Sequence, residues 1–289
     1  MKKNIMFISY LLFILLFNSC KDDVKKVSEI DTFKLPKSLN EVSGMTYIDD
    51  VIWVIQDNGN SEKIHKLSIE GKLLKSIEIN SVKNHDWEAI TSDEDGNLYI
   101  GDFGNNDNNR KNLAIYKISS EDLAKDKVNI EYALNFNYED QDEFPPKKHF
   151  LLYDCESFVL HDDNFYLFTK NRSKGFDGTS HIYKLENKAG NQTAKLLKKY
   201  VTCDSFNSCA ITDAAISPDG NKMALISNKR MWIFTNYSNS DFTNGKVKEI
   251  KFETYTQREG VTFKDDNTLY ITDEKTKNVG GNLYKYKLD

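Results

Sequence analysis

The sequence predicts an all-β fold made of repeated four-stranded antiparallel units, on three observations. Aromatic residues make up 12% of the 289, with 15 Tyr and 17 Phe, a composition that favours sheet over helix bundle. One set of strand signals recurs five times along the chain. The last recurrence stops a strand short, while a spare strand signal stands ahead of the first. Together they predict a five-bladed β-propeller over residues 31–289, with four antiparallel strands per blade and the ring closed by an N-terminal strand.

The first strand of each unit begins with an oxygen-bearing side chain, then a small residue, then turns apolar. The five are Ser43-Gly44-Met45-Thr46-Tyr47, Glu88-Ala89-Ile90-Thr91-Ser92, Glu156-Ser157-Phe158-Val159-Leu160, Asp213-Ala214-Ala215-Ile216-Ser217 and Glu259-Gly260-Val261-Thr262-Phe263. The second strands are Ile52-Trp53-Val54-Ile55, Leu98-Tyr99-Ile100, Phe165-Tyr166-Leu167-Phe168, Met223-Ala224-Leu225-Ile226 and Leu269-Tyr270-Ile271. Turn residues separate them, as in Asp95-Gly96-Asn97 and Asp219-Gly220-Asn221. Third strands repeat Ile64-His65-Lys66-Leu67, Ile115-Tyr116-Lys117-Ile118, Ile182-Tyr183-Lys184-Leu185 and Leu283-Tyr284-Lys285-Tyr286, with Trp232-Ile233-Phe234 the exception. Fourth strands are expected at 73–79, 128–138, 194–201 and 246–252. The fifth unit lacks one, and Thr32-Phe33-Lys34-Leu35 supplies it, leaving no open edge.

Ahead of the repeats, Met1-Lys2-Lys3 precedes the apolar run Ile5 to Phe17 and then Asn18-Ser19-Cys20. The run is short for a membrane span and fits an export signal over 1–19. A small residue directly before Cys resembles the bacterial lipoprotein signal, which implies lipidation at Cys20, a tether over 20–30, and anchoring in the bacterial outer membrane. Lys21-Asp22-Asp23 resembles the tag that directs such proteins to the cell surface. In an oxidising compartment disulfides are permitted. Cys203 and Cys209 are close enough to close a small loop, and Cys155 is left over as a buried thiol. No Cys/His spacing suggests zinc. The net charge of −5 excludes a protein that coats nucleic acid non-specifically. A monomer is expected.

First strands of propeller blades line the central channel, so Ser43, Glu88, Glu156, Asp213 and Glu259 are expected to form an axial ring. Four carboxylates there repel one another in a partly desolvated site. No basic residue recurs at that position, so one hard, oxygen-liganded cation, Ca²⁺, is the expected partner. The second strands end on the same face, at Gln56-Asp57-Asn58, Gly101-Asp102, Thr169-Lys170-Asn171-Arg172 and Ser227-Asn228-Lys229-Arg230. Asp57, Asp102, Lys170, Arg172 and Lys229 are therefore the candidate ligand-binding residues, where a small anionic ligand or a partner protein meets the metal. The five histidines are scattered without ligand spacing.

Ser43-Gly44-Met45-Thr46-Tyr47, Asp86-Trp87-Glu88-Ala89-Ile90 and Arg258-Glu259-Gly260-Val261 resemble signatures of the SdiA-regulated, NHL-like propeller proteins. The five-unit count and the axial residues are also similar to the soluble calcium-activated nucleotidases (apyrases). That second resemblance implies an axial Ca²⁺ held by Ser43, Glu88, Glu156, Asp213 and Glu259, with Asp57, Arg172 and Lys229 near a nucleotide. Asp102-Phe103-Gly104-Asn105-Asn106 departs from the nucleotidase second-blade loop. The expected function is a surface-anchored, calcium-stabilised binding module; the alternative is a calcium-dependent hydrolase of phosphoanhydrides or phosphoesters. No catalytic residue is singled out.

Overall fold

The computed structural model describes residues 28–288. The export signal and Cys20 lie outside the described residues.

The described residues open with β1 (Ser28–Lys34) and then form repeated antiparallel meanders. The first comprises β2 (Val42–Ile48), β3 (Val51–Gln56), β4 (Lys63–Leu67) and β5 (Leu73–Ile79). Next come β6 (Trp87–Ser92), β7 (Leu98–Asp102) and β8 (Leu113–Ile118), the two-residue β9 (Lys127–Val128), and β10 (Tyr132–Tyr138). The third is β11 (Asp154–His161), β12 (Asn164–Lys170), β13 (Thr179–Glu186) and β14 (Gly190–Val201). A single helical turn, α1 (Phe206–Cys209), leads into β15 (Ile211–Ile216), β16 (Lys222–Ser227), β17 (Arg230–Thr235) and β18 (Lys246–Lys251). The chain ends with β19 (Arg258–Asp265), β20 (Thr268–Asp273) and β21 (Asn282–Lys287).

β1 pairs antiparallel with β21, with Phe33 opposite Leu283, so the N-terminal strand completes the last meander as expected. The expected strand over 128–138 is split. β9 pairs parallel with β5 of the preceding meander, and only β10 pairs with β8. β14 starts earlier than expected because its first residues pair parallel with β10. These two parallel pairings tie the outer edges of neighbouring meanders together.

The first strands lie side by side in a closed series: β2 against β6, β6 against β11, β11 against β15, β15 against β19, and β19 against β2. The core is divided between neighbouring sheets. One cluster joins Trp53, Ile55 and Ile64 to Trp87, Ile90 and Ile100; the next joins Tyr99 and Phe103 to Phe158 and Phe165. Second strands therefore bury both faces, which is why they read as unbroken apolar runs such as Ile52-Trp53-Val54-Ile55. Full burial of one such side chain stabilises the fold by about 1.5–3 kcal/mol. Two-residue turns with Asp49-Asp50 and Asp162-Asp163 at positive φ connect β2 to β3 and β11 to β12, the geometry that matches strand twist. Cys203 and Cys209 are joined by a disulfide across α1, and Cys155 is a buried free thiol.

Candidate functional site on the axial face

Every first strand carries a β-bulge at its start. The register shifts between Val42 and Gly44, Trp87 and Ala89, Cys155 and Ser157, Ile211 and Asp213, and Arg258 and Gly260. A bulged residue is released from the ladder and its side chain is re-aimed. Those residues are Ser43, Glu88, Glu156, Thr212 and Glu259. The ring expected from the sequence is therefore corrected at one position, where Thr212 and not Asp213 is the equivalent residue. Asp213 falls one step later, in the slot held elsewhere by Gly44, Ala89, Ser157 and Gly260, and its buried carboxylate accepts from the Val261 N–H at 2.7 Å. The two hydroxyls of the ring bind the neighbouring strand. Ser43 Oγ donates to the Trp87 carbonyl at 2.6 Å, and Thr212 Oγ1 to the Arg258 carbonyl at 2.5 Å.

Three glutamates remain, in three different environments. Glu156 is met by two cations from the end of β12 and the residues just after it. Lys170 Nζ lies 2.9 Å from one oxygen and Arg172 Nη2 2.7 Å from the other. Cations thus reach the ring from the second strand, not from the repeat position where none was found in the sequence. Burial raises the Glu156 pKa, but Lys170 and Arg172 outweigh it and hold the carboxyl below its ordinary value. Arg172 also binds Asp154 at 2.5 Å, and burial together with Glu156 pushes the Asp154 carboxyl up to about 7. Glu259 is half-buried, and burial raises its carboxyl to about 8.

Glu88 is only 8% exposed. Its carboxylate lies in a cluster with Asp57 and Asp86, one oxygen of each falling within 4.8 Å of the others. Burial first, then the charges of Glu156 and Asp57, push the Glu88 carboxyl well above its usual range. Burial likewise raises Asp57, to about 6, and Asp86. Asn58 Nδ2 donates to Asp86 at 2.7 Å. Gly104 supplies the space: a Cβ there would stand 2.3 Å from Glu88 Oε1 and 2.5 Å from Asp86 Cγ. All the donors are hard oxygens, the set that suits Ca²⁺ or Mg²⁺. The residues present therefore fit such an ion.

Of the candidate ligand residues, Asp57, Lys170 and Arg172 belong to this face. Asp102 does not offer itself to a ligand. It is fully buried, and its oxygens accept from Arg110 Nη2 at 2.7 Å and Tyr116 OH at 3.1 Å, with His85 Nδ1 at 2.9 Å. Asp273 makes the same pair with Tyr284 OH at 2.6 Å, so the Asp–Tyr contact is a structural staple recurring between second and third strands. Lys229 turns its ammonium to the Glu253 carbonyl at 2.7 Å. Asp86 and Asp154 were missed from sequence. Each stands two residues before a ring glutamate, and that shared spacing was the available signal.

No curated protein sequence matches this chain. Among solved structures, the PQQ-bound aldose sugar dehydrogenase from Streptomyces coelicolor is similar at 10% identity with a TM-score of 0.52, covering 91% of this chain and 98% of the other. At that identity the likeness concerns the fold alone, a β-propeller. A hydrazine synthase chain from Kuenenia stuttgartiensis (12% identity, TM-score 0.42) is covered over 61% of its length by 80% of this chain. A chain of a nidogen/laminin complex shows 14% identity and a TM-score of 0.45 over 80% of this chain and 72% of that one. The family model described as SdiA-regulated matches residues 24–142, the stretch that carries Ser43-Gly44-Met45-Thr46-Tyr47 and Asp86-Trp87-Glu88-Ala89-Ile90, and bears out the likeness to that family.

Proposed function

We propose that the chain is a surface-anchored lipoprotein, tethered through Cys20, whose five-bladed propeller is a binding module that holds one hard divalent cation, Ca²⁺, on its axial face. The carrying observation is the convergence of Asp57, Asp86 and Glu88, one oxygen of each within 4.8 Å of the others, with Asp86 and Glu88 buried. Carboxylates crowded in a partly desolvated site repel one another, and a divalent ion offsets three at once. Of the ring expected from the sequence this reading retains Glu88 as a ligand. Ser43 is engaged with the next strand, and Glu156 with Lys170 and Arg172. An anionic ligand or an acidic partner surface then reaches this face by completing the coordination of the ion, with Arg172, about one-quarter exposed, beside it. The engagement of Lys170 and Arg172 with Asp154 and Glu156 favours binding over phosphoryl hydrolysis, which needs cations free for developing charge.

The test is thermal unfolding of the full chain in EDTA and in millimolar Ca²⁺. Calcium at a hundredfold its Kd stabilises by about 2.7 kcal/mol. Glu88→Gln replaces a carboxyl that burial already drives toward its neutral form, so it is expected to match the wild type in EDTA and to lose the calcium response. No calcium shift in the wild type, or the same shift in Glu88→Gln, overturns the assignment.

A further inference from the structure

The other end of the molecule carries a recurring feature that the axial site does not use. In four meanders a second-strand aromatic sits in register with a third-strand lysine: Trp53 with Lys66, Tyr99 with Lys117, Tyr166 with Lys184, and Tyr270 with Lys285. Two of these lysines are neutralised. Lys117 binds Glu131 at 3.2 Å and Lys285 approaches Asp31 at 3.9 Å. Their boundaries with the next sheet are also filled, by Asn187 bonded to Tyr99 and Tyr132 in one case and by Tyr47 against Tyr270 in the other.

The remaining two differ in both respects. Lys66 lies over the Trp53 ring at 5.7 Å and Lys184 over the Tyr166 ring at 5.7 Å, and neither has a carboxylate at ion-pair distance among the described residues. Each lines an open cleft of about 260 Å³. The two clefts share a plan, although the first also holds Asp49 and the second holds Lys198, paired with Asp241 at 3.1 Å. The far wall is the segment after the third strand of the following meander, bringing Ser120 and Leu123 to the first and Ser240 and Phe242 to the second. The first cleft contains Ile48 and Val51, which pair at the turn end of β2 and β3, whereas the axial residues stand at the Val42–Gln56 end. It therefore opens away from the acidic face.

We propose that these two clefts are a pair of repeat-related sites for acidic sugar units. A carboxylate meets the unpaired ammonium, ring hydroxyls meet Ser120 or Ser240 and the neighbouring Asp95 or Asp241, and the C–H face lies along the apolar wall. The volume lies just below the range for drug-sized ligands, so each cleft takes one small unit of a chain. An oligouronate is the matching ligand class.

The experiment is calorimetric titration of the full chain with a linear tetramer of galacturonic acid, in EDTA so that the axial cation reading plays no part. Two sites per chain are expected. Lys66→Gln and Lys184→Gln each leave one, the double variant leaves none, and Lys117→Gln leaves two. Lys66→Arg and Lys184→Arg keep the charge and retain both sites, which separates lost recognition from lost folding. Absence of binding, unchanged stoichiometry in the double variant, or equal affinity for a neutral tetrasaccharide or for acetate overturns the proposal.

Discussion

Ser43 and Thr212 occupy the same bulged position in two different repeats and make the same bond, each hydroxyl donating to the carbonyl that precedes the next ring residue. The ring thus divides between two functions. Hydroxyls stitch neighbouring first strands together, and glutamates bring carboxyls to the axial face. Of the glutamates, Glu156 is taken up by Lys170 and Arg172, which leaves Glu88 and Glu259 to a ligand.

Removing either hydroxyl leaves a buried carbonyl short of a partner. Ser43→Ala and Thr212→Val are each expected to cost about 1 kcal/mol, and because the two bonds lie in separate repeats the double variant should cost about their sum. Urea unfolding of the single and double variants checks this. Asp213→Asn, by contrast, keeps an acceptor for the Val261 N–H and is expected to leave calcium affinity unchanged, since that carboxylate is turned into the backbone.

The carboxyls of the axial face make stability pH-dependent in a definite direction. Burial raises Glu259 to about 8 and Glu274 to about 7. Both therefore hold protons in the folded chain at pH values where the unfolded chain has released them. Their contribution is complete below the unfolded value of about 4.3 and is lost as pH rises through about 7 to 8. Glu156, held low by Lys170 and Arg172, works in the opposite sense, and its contribution is lost as pH falls through its lowered value. In EDTA the urea midpoint is expected to fall between about pH 5 and pH 8, and Glu259→Gln to flatten that slope. A midpoint that rises over this window would count against the assignment.

The repeats, the apolar second strands and the closing N-terminal strand were all legible, because unbroken apolar runs and turn residues act locally. The bulges were not. A bulge adds one residue without changing the residue types around it, so Ile211-Thr212-Asp213 aligned its conspicuous carboxylate with the glutamates and hid the threonine. The pairing of Glu156 with Lys170 and Arg172 joins residues 14 and 16 positions apart across a hairpin, which the repeat alignment treats as separate columns. The Asp57–Asp86–Glu88 cluster spans two meanders. Its members become neighbours only once β2 and β6 lie side by side.

The disulfide holds the turn that carries Phe206. That ring packs edge-on against Phe176 at 5.4 Å and faces the Arg172 guanidinium at 6.0 Å. Closing so short a loop stabilises by about 2 kcal/mol on chain-entropy grounds. Cys203→Ser with Cys209→Ser is expected to lower unfolding free energy by that order. It should also make the oxidised and reduced proteins indistinguishable, whereas the wild type loses the same amount on reduction. Equal stability of oxidised and reduced wild type defeats the claim.

Gly104 offers the sharpest separation of site from scaffold. Its backbone runs so close to the acidic cluster that a single methyl overlaps Glu88 Oε1 and Asp86 Cγ, while the adjacent Asn105 N–H donates to Asp154 at 2.6 Å and fixes the chain in place. With the backbone held, the carboxylates must give way, and they are side-chain termini able to rotate. Gly104→Ala is therefore expected to spread the cluster and weaken calcium binding by tenfold or more, an effect of about 1.4 kcal/mol, while the fold in EDTA changes by less than the wild-type calcium shift. Calorimetric titration with Ca²⁺ and thermal unfolding in EDTA read the two quantities separately. Wild-type calcium affinity in Gly104→Ala would place the ion elsewhere on the face.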